Sequence, residues 1–491
     1  MKLIQRTMLG MAVAALVAGC AKKERTEEEL MQQRETYRAQ MLELVGATNC
    51  AAAAELELTT WKTDPEIAPA GFGIVYSSLR AAGDHAPVIA WCEKLLNPEL
   101  KMPGEYRGYV HRWRIAENLF ADDADSALRN TLAYSSEADE SETCNLLRDV
   151  AGEALRCGST AAVEKFMARL EGEKAFSENP LFARFFRATH VRLLMGKREW
   201  SGAIEQCKKA VVEFPDSELS PLVREVTANL GRQADKKLLD EFAEYVLAQT
   251  AEKPRTSGAV AQTWINNGVS ADPKGIPARF DRLMAFKVPV NRIGDAFENV
   301  FYSFAQDTET LGKLCAFGHR LVAACDATQT NTSNMVSLKL LDGAFIRGNY
   351  TEAIAMLEKG IPGQSEEWIS FALPKTKAHA ELAAAEKAAT ADERKACTLR
   401  AIGFFREFMT ALEKSDREEE VDPVSSLAYP KSAILARNEL RISGLYAGIG
   451  EGEKAATAKA AAKKLYAEAL TKAEKDEELL GLLKTEAAKA E

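Results

Sequence analysis

The sequence is poor in the residues that most enzymes use at a reacting centre. It holds five histidines in 491 residues, His85, His111, His190, His319 and His379, and none sits in an HExxH pair or a Cys/His cluster. No catalytic metal is expected from such a set. There is no CxxC pair, so structural zinc and thioredoxin-like redox chemistry both lose support. No GxSxG elbow, phosphate loop or GxGxxG follows a strand, because strand-like alternation of β-branched residues is itself hard to find. Positive charge is also in short supply: 63 Lys and Arg stand against 72 Asp and Glu, a formal balance of -9. An acidic chain is a poor match for the phosphate backbone of nucleic acid or for broad adhesion to anionic lipid. The expectation is a protein without cofactor or metal, without a nucleic-acid partner, and without enzymatic activity.

Cysteine is sparse. Nine are present, and eight remain after Cys20: Cys50, Cys92, Cys144, Cys157, Cys207, Cys315, Cys325 and Cys397. That density is far below a disulfide scaffold. If "TCNLLRDVAGEALRC" is one helix, Cys144 and Cys157 lie about 20 Å apart, beyond the roughly 7 Å Cα limit for a bridge. Cys315 and Cys325 fail the same test at about 15 Å. Free thiols acting as small apolar residues are predicted.

What the chain has in abundance is helix-forming sequence. Ala, Leu, Glu and Lys dominate nearly every segment. In "LLMGKREWSGAIEQCKKAVVEFPDS" (193–217), Ala203, Cys207, Ala210, Val211 and Phe214 share one helical face and Pro215 stops the helix. In "LKLLDGAFIRGNYTEAIAMLEKGIP" (338–362), Leu338, Leu341 and Phe345 line one helix and Ala353, Ile354, Leu357 and Ile361 line its return, with Gly348 and Asn349 as the turn. Both windows resemble tetratricopeptide repeats, helical hairpins of about 34 residues. The resemblance rests on the turn glycine (Gly196, Gly348), the aromatic after it (Trp200, Tyr350), and two small residues on the second helix (Ala203 and Ala210; Ala353 and Gly360). The first window carries two turn residues more than the pattern, and the second has Pro362 three positions early. Weaker copies at 81–97, 155–171 and 446–465 put Val88, Val163, Ala203, Ala353 and Ala455 at equivalent places, 75, 40, 150 and 102 residues apart. Those intervals divide into steps of 34 to 40, which predicts an all-α solenoid of about ten to twelve stacked antiparallel hairpins.

The prolines of 251–290 predict a junction between an N-terminal solenoid (30–250) and a C-terminal one (291–491) that ends in a helical cap. Residues 414–432 read as a solvated loop. "DDADS" (122–126) and "SSEADESE" (135–142) read as a helix-capping turn and a loop leading to a helix N-terminus rather than as calcium ligands.

The first twenty residues say most about location. Lys2 and Arg6 precede the eleven-residue apolar stretch Met8 to Ala18, the size of a signal-peptide core and well short of the about 20 residues of a membrane span. Val17-Ala18-Gly19-Cys20 resembles the lipobox of bacterial lipoprotein precursors. The resemblance implies cleavage between Gly19 and Cys20, lipidation of Cys20, residues 20–29 as a tether, and a charge of -11 once Lys2 and Arg6 are gone. Ala rather than Asp at position 21 implies the outer membrane, facing the periplasm or the cell surface. At about 0.8 kcal/mol per buried CH₂, two or more acyl chains anchor durably without a protein span.

Two stretches could form a recognition surface. In "YRGYVHRWRIAENLF" (106–120), Tyr106, Tyr109 and Trp113 share one face while Arg107, His111 and Arg114 share another. In "LFARFFRATH" (181–190), Arg184 and Arg187 flank a phenylalanine core. These basic faces on an acidic chain suit an acidic partner. The combined resemblances imply a membrane-anchored envelope lipoprotein that holds a protein partner, an extended segment or a helix. An alternative is a surface glycan-binding lipoprotein similar to the starch-utilisation family, and a third a helical-toroid polysaccharide-active enzyme.

Overall fold

The computed structural model describes residues 25–100, 102–232, 236–421, 427–474 and 476–490. The lipobox and Cys20 lie outside these residues. The chain divides into two compact units, Met1–Asn229 and Leu230–Glu491. Both are built from helices. Among the described residues the sole sheet is one short two-stranded ribbon.

The first unit runs α1 (Glu27–Gly46), α2 (Cys50–Thr63), α3 (Pro69–Ala81), α4 (His85–Leu95), α5 (Gly104–Phe120), α6 (Ala124–Ser135), α7 (Glu140–Arg156), α8 (Thr160–Gly172), the single turn α9 (Lys174–Ser177), α10 (Pro180–Gly196), α11 (Trp200–Glu213) and α12 (Asp216–Arg232). First helices of successive hairpins pack on one another, α1 on α3, α5 on α7 and α7 on α10, while second helices do the same, α2 on α4 and α6 on α8. This two-layer stacking is the solenoid arrangement, in which each hairpin buries its apolar face against its neighbours. In α7 the buried Cys144, Leu147, Val150, Ala151 and Ala154 recur at the helical period and fix which side faces inward.

A shared turn sets the hairpins. Thr48, Gly83, Asp122, Gly158, Arg198, Gly348 and Gly450 all hold a left-handed backbone with φ between 55° and 88°. In each case the next helix begins two residues later. At Arg198 the backbone N–H donates to the Met195 carbonyl, and the following Glu199 N–H reaches back to Leu194; the same two bonds recur at Thr48, Asp122, Gly158, Gly348 and Gly450. This is a Schellman cap whose last residue doubles as the N-cap of the return helix. The caps are largely polar: Asn49, Asp123 and Asn349 each accept a backbone N–H three residues on. Five residues after each left-handed position stands Ala53, Val88, Ala127, Val163, Ala203, Ala353 or Ala455, all buried. In the first unit the left-handed positions are 35, 39, 36 and 40 residues apart, within the predicted steps.

The turn revises one expectation. Gly196 is the last residue of α10, and the left-handed residue of that hairpin is Arg198. Measured from Arg198 and Gly348, the two windows have turns of equal length, and the two extra residues disappear. Gly360, paired with Ala210 on sequence, ends its helix with φ 87° instead of continuing it.

The second unit runs α13 (Lys236–Gln249), α14 (Pro254–Ala271), α15 (Ile276–Ala285), α16 (Val290–Phe301), α17 (Thr308–Ala324), α18 (Thr330–Ile346), α19 (Tyr350–Lys359), α20 (Glu366–Lys387), α21 (Ala391–Lys414), strands β1 (Glu419–Val421) and β2 (Ala428–Pro430), α22 (Lys431–Gly448), α23 (Gly452–Lys472) and α24 (Glu477–Ala488). Alternate helices stack through α18, with α14 on α16, α15 on α17 and α16 on α18; beyond it the contacts join consecutive long helices. The expected junction at 251–290 is instead helical. Pro254, Pro273 and Pro277 occupy first helical turns, where a missing N–H costs nothing, and Pro289 is an N-cap. The expected solvated loop at 414–432 contains the antiparallel ribbon, in register Glu419↔Pro430, and its Tyr429 is buried. The tether expected to reach residue 29 gives way to α1 at Glu27, capped by a reciprocal Thr26 and Glu29 box, and Arg25 is held by Asp64 at 2.6 Å. No helix among the described residues is long and apolar enough to cross a membrane.

Candidate functional site

The aromatic stripe of α5 is mostly interior. Trp113 stacks on Tyr76 at 4.1 Å with ring planes 5° apart and touches Phe72 at 4.5 Å. Tyr106 leans on Trp61 and Phe72. Both are half-buried members of the first unit's core, and of the three only Tyr109, 45% exposed, faces solvent. One exposed ring is not the platform that a sugar face needs. The arginines beside them are occupied: Arg107 meets Glu137 at 2.8 Å and Arg114 meets Glu93 at 2.6 Å. His111 adds no charge, because burial pulls its imidazole down to about 4. Arg187 pairs with Glu213 at 2.9 Å. Each carboxylate of "DDADS" is engaged by protein: Asp123 caps α6, Asp122 binds Lys165 and Asp125 binds Arg169.

Arg184 leads somewhere else. It lies beside Arg148 and Arg192 at the edge of a groove of about 570 Å³ formed by α5, α7, α8, α10 and α12. Arg112, Arg148, Arg156 and Arg192 line that groove together with Asp149, Glu225 and Asn229. Their positions are periodic: Arg112, Arg148 and Arg184 are 36 residues apart, as are Arg156 and Arg192. The solenoid step therefore places Arg112, Arg148 and Arg184 on the successive first helices α5, α7 and α10, and Arg156 and Arg192 on α7 and α10.

Neighbouring hairpins neutralise some of this charge and not the rest. Arg112 reaches Asp149 at 3.0 Å, Arg184 reaches Glu218 at 3.0 Å and Arg192 reaches Glu225 at 2.9 Å. Arg148 and Arg156 on α7 face α10, whose sequence PLFARFFRATHVRLLMG contains no carboxylate. Among the described residues Arg148 bonds the Asn145 amide oxygen at 3.1 Å, and neither it nor Arg156 has an acidic partner. Two guanidiniums with unused donors, set in a groove, can bind carboxylates by paired N–H···O bonds. Sequence reasoning reached Arg184 but missed Arg112, Arg148, Arg156 and Arg192. The signal was present as the 36-residue spacing, obscured because arginine recurs throughout the chain.

No family model and no curated protein matches this chain. Among solved structures it aligns with a "Circular tandem repeat protein with novel repeat topology and enhanced subunit contact surfaces" at 14% identity, over 94% of this chain and 89% of that one, with a TM-score of 0.12. That score is too low to bear on fold or function.

Proposed function

We propose that this helical repeat protein is an envelope lipoprotein, anchored through Cys20, whose first unit holds an acidic segment of a protein partner in the arginine groove. The observation that carries the reading is the pair Arg148 and Arg156, which have no carboxylate partner among the described residues in a groove where the flanking arginines are paired. A partner supplying two or more carboxylates completes the pattern that Asp149 and Glu225 begin. Stacked repeats suit this task because they present a long surface without requiring a catalytic residue. The lipid anchor accounts for how a chain without a membrane-crossing helix among its described residues would be held at an envelope surface. The aromatic arrangement of α5 offers nothing to the glycan alternative.

The test is a photo-crosslinker at Leu155, on the groove wall, in native membranes. A protein adduct is expected that disappears with the double substitution Arg148→Glu and Arg156→Glu and weakens as salt rises. The Cys20→Ser variant should release both chain and adduct from the membrane fraction. An adduct indifferent to the two arginines, or no adduct together with saturable oligosaccharide binding, overturns the reading.

A further inference from the structure

The second unit contains a cavity unrelated to that groove. About 200 Å³ opens between α20, α21 and the start of α22, floored by Trp368, Phe371, Phe408, Leu412 and Ile434. Phe371 and Phe408 meet edge to face at 6.4 Å and are almost wholly buried, so the floor is rigid. Three cations stand at its rim: Lys375, Arg417 and Lys431, against the single carboxylate of Glu419.

The rim charges are held on the cavity's own aromatic walls. The Arg417 guanidinium lies 5.2 Å from the Phe371 ring centre and the Lys375 ammonium 5.5 Å from that of Phe408. Lys431 donates to the Ser415 carbonyl at 2.7 Å and has no carboxylate partner among the described residues. Arg417 has a distant carboxylate, Glu367 at 3.7 Å, and Lys375 has none among the described residues. The positive field extends below the rim: burial first, then Arg441 and Lys375, hold the His379 imidazole below its ordinary value. An apolar cavity with cations converging at its mouth selects a ligand with an apolar body and an anionic end.

We infer that this cavity is a binding site for a small aromatic carboxylate, the ring seated on Phe371, Phe408 and Ile434 and the carboxylate turned to Lys375 and Arg417. The volume is below the usual range of ligand pockets and accepts one ring system with a short acid arm, not a long acyl chain.

The experiment titrates the purified full-length chain with indole-3-propionate and 3-phenylpropionate, and with their neutral amides, following heat and the ligand's magnetic-resonance line broadening. Each acid is expected to bind saturably and about tenfold more tightly than its amide, because the charge-assisted bonds are made only by the acid. Replacing Lys375→Gln and Arg417→Gln together should erase that difference; both side chains are at the surface, and an unchanged circular-dichroism melt confirms folding. Ala372→Trp, which fills the cavity, should abolish binding of both forms. Equal affinity of acid and amide in the unmodified chain, or no saturable binding up to about 10 mM, overturns the assignment.

Discussion

At the scale of single residues the first unit stores its tension in a buried carboxyl. Glu57 on α2 is fully buried and accepts the Tyr37 hydroxyl at 2.6 Å through Oε2. Burial pushes its acid up to about 8, with the Tyr37 bond opposing in part. The raised value means that the folded chain keeps a proton the unfolded chain gives up. Stability is therefore greatest below the unfolded value near 4.5, falls as pH rises toward 8, and levels off above it. The slope is about 1.4 kcal/mol per pH unit inside that window. Glu57→Gln, which stays neutral, should flatten the dependence, so urea titrations of both chains at pH 5 and pH 8 ought to converge at low pH and diverge at high pH, with the variant the more stable. Gly71 explains why the site is closed: a Cβ there would stand 2.6 Å from Glu57 Oε2 and 2.8 Å from the Tyr37 ring. Gly71→Ala is expected to cost about 2 kcal/mol through overpacking, read as a lower thermal midpoint. Neither residue was visible as special in the sequence, since a glutamate in an alanine-rich helix reads as solvated face. What singles it out is a tertiary contact twenty residues away.

At the scale of elements the left-handed turn is the feature that sequence half revealed. Glycine marks it at Gly83, Gly158, Gly348 and Gly450, which is why those windows were legible. Thr48, Asp122 and Arg198 occupy the same conformation without glycine, so two hairpins went unseen and Gly196 was given a role that belongs to Arg198. The buried small residue five positions later was the sounder marker, because packing between two close helices constrains it more strictly than the turn constrains its own side chain. A left-handed residue with a side chain carries about 1–2 kcal/mol of strain, and glycine gives back roughly 0.5–1 kcal/mol of that through greater unfolded-state entropy. Arg198→Gly should thus raise stability by about 0.5–1 kcal/mol, whereas Gly348→Ala, in open space but at φ 66°, should lower it by about 1 kcal/mol. Denaturant midpoints moving in opposite directions would confirm that one backbone geometry governs both turns; midpoints moving together would separate them. The same reasoning explains why the prolines of 251–290 read as breaks, since a proline in a first helical turn looks like a breaker to the eye and behaves as an initiator in the chain.

At the scale of the whole molecule, stability is assembled largely from contacts between helices near one another in the chain. Separate clusters of buried residues serve α1 to α5, α5 to α10, α18 to α20 and α20 to α24. In such a stack a local defect opens its own hairpin and those beside it, and its effect fades with distance along the array. Gly268 supplies a defect of known position. A Cβ on it would collide with the Arg279 guanidinium, which is buried and paired with Asp240 at 2.9 Å, while Asp240 also accepts the Trp264 indole N–H at 2.7 Å. Gly268→Ala must displace that buried cation from its only carboxylate among the described residues, a loss of about 3 kcal/mol where it acts. Amide exchange followed by mass spectrometry is the measurement that separates a stack from a single cooperative body. Faster exchange is expected across α13 to α15 and weakly in α16, with α1 to α10 unchanged; Gly71→Ala should give the mirror result, confined to α1 to α4. If either substitution accelerated exchange evenly through the chain, the two units would unfold as one and the nearest-neighbour account of this solenoid would fail.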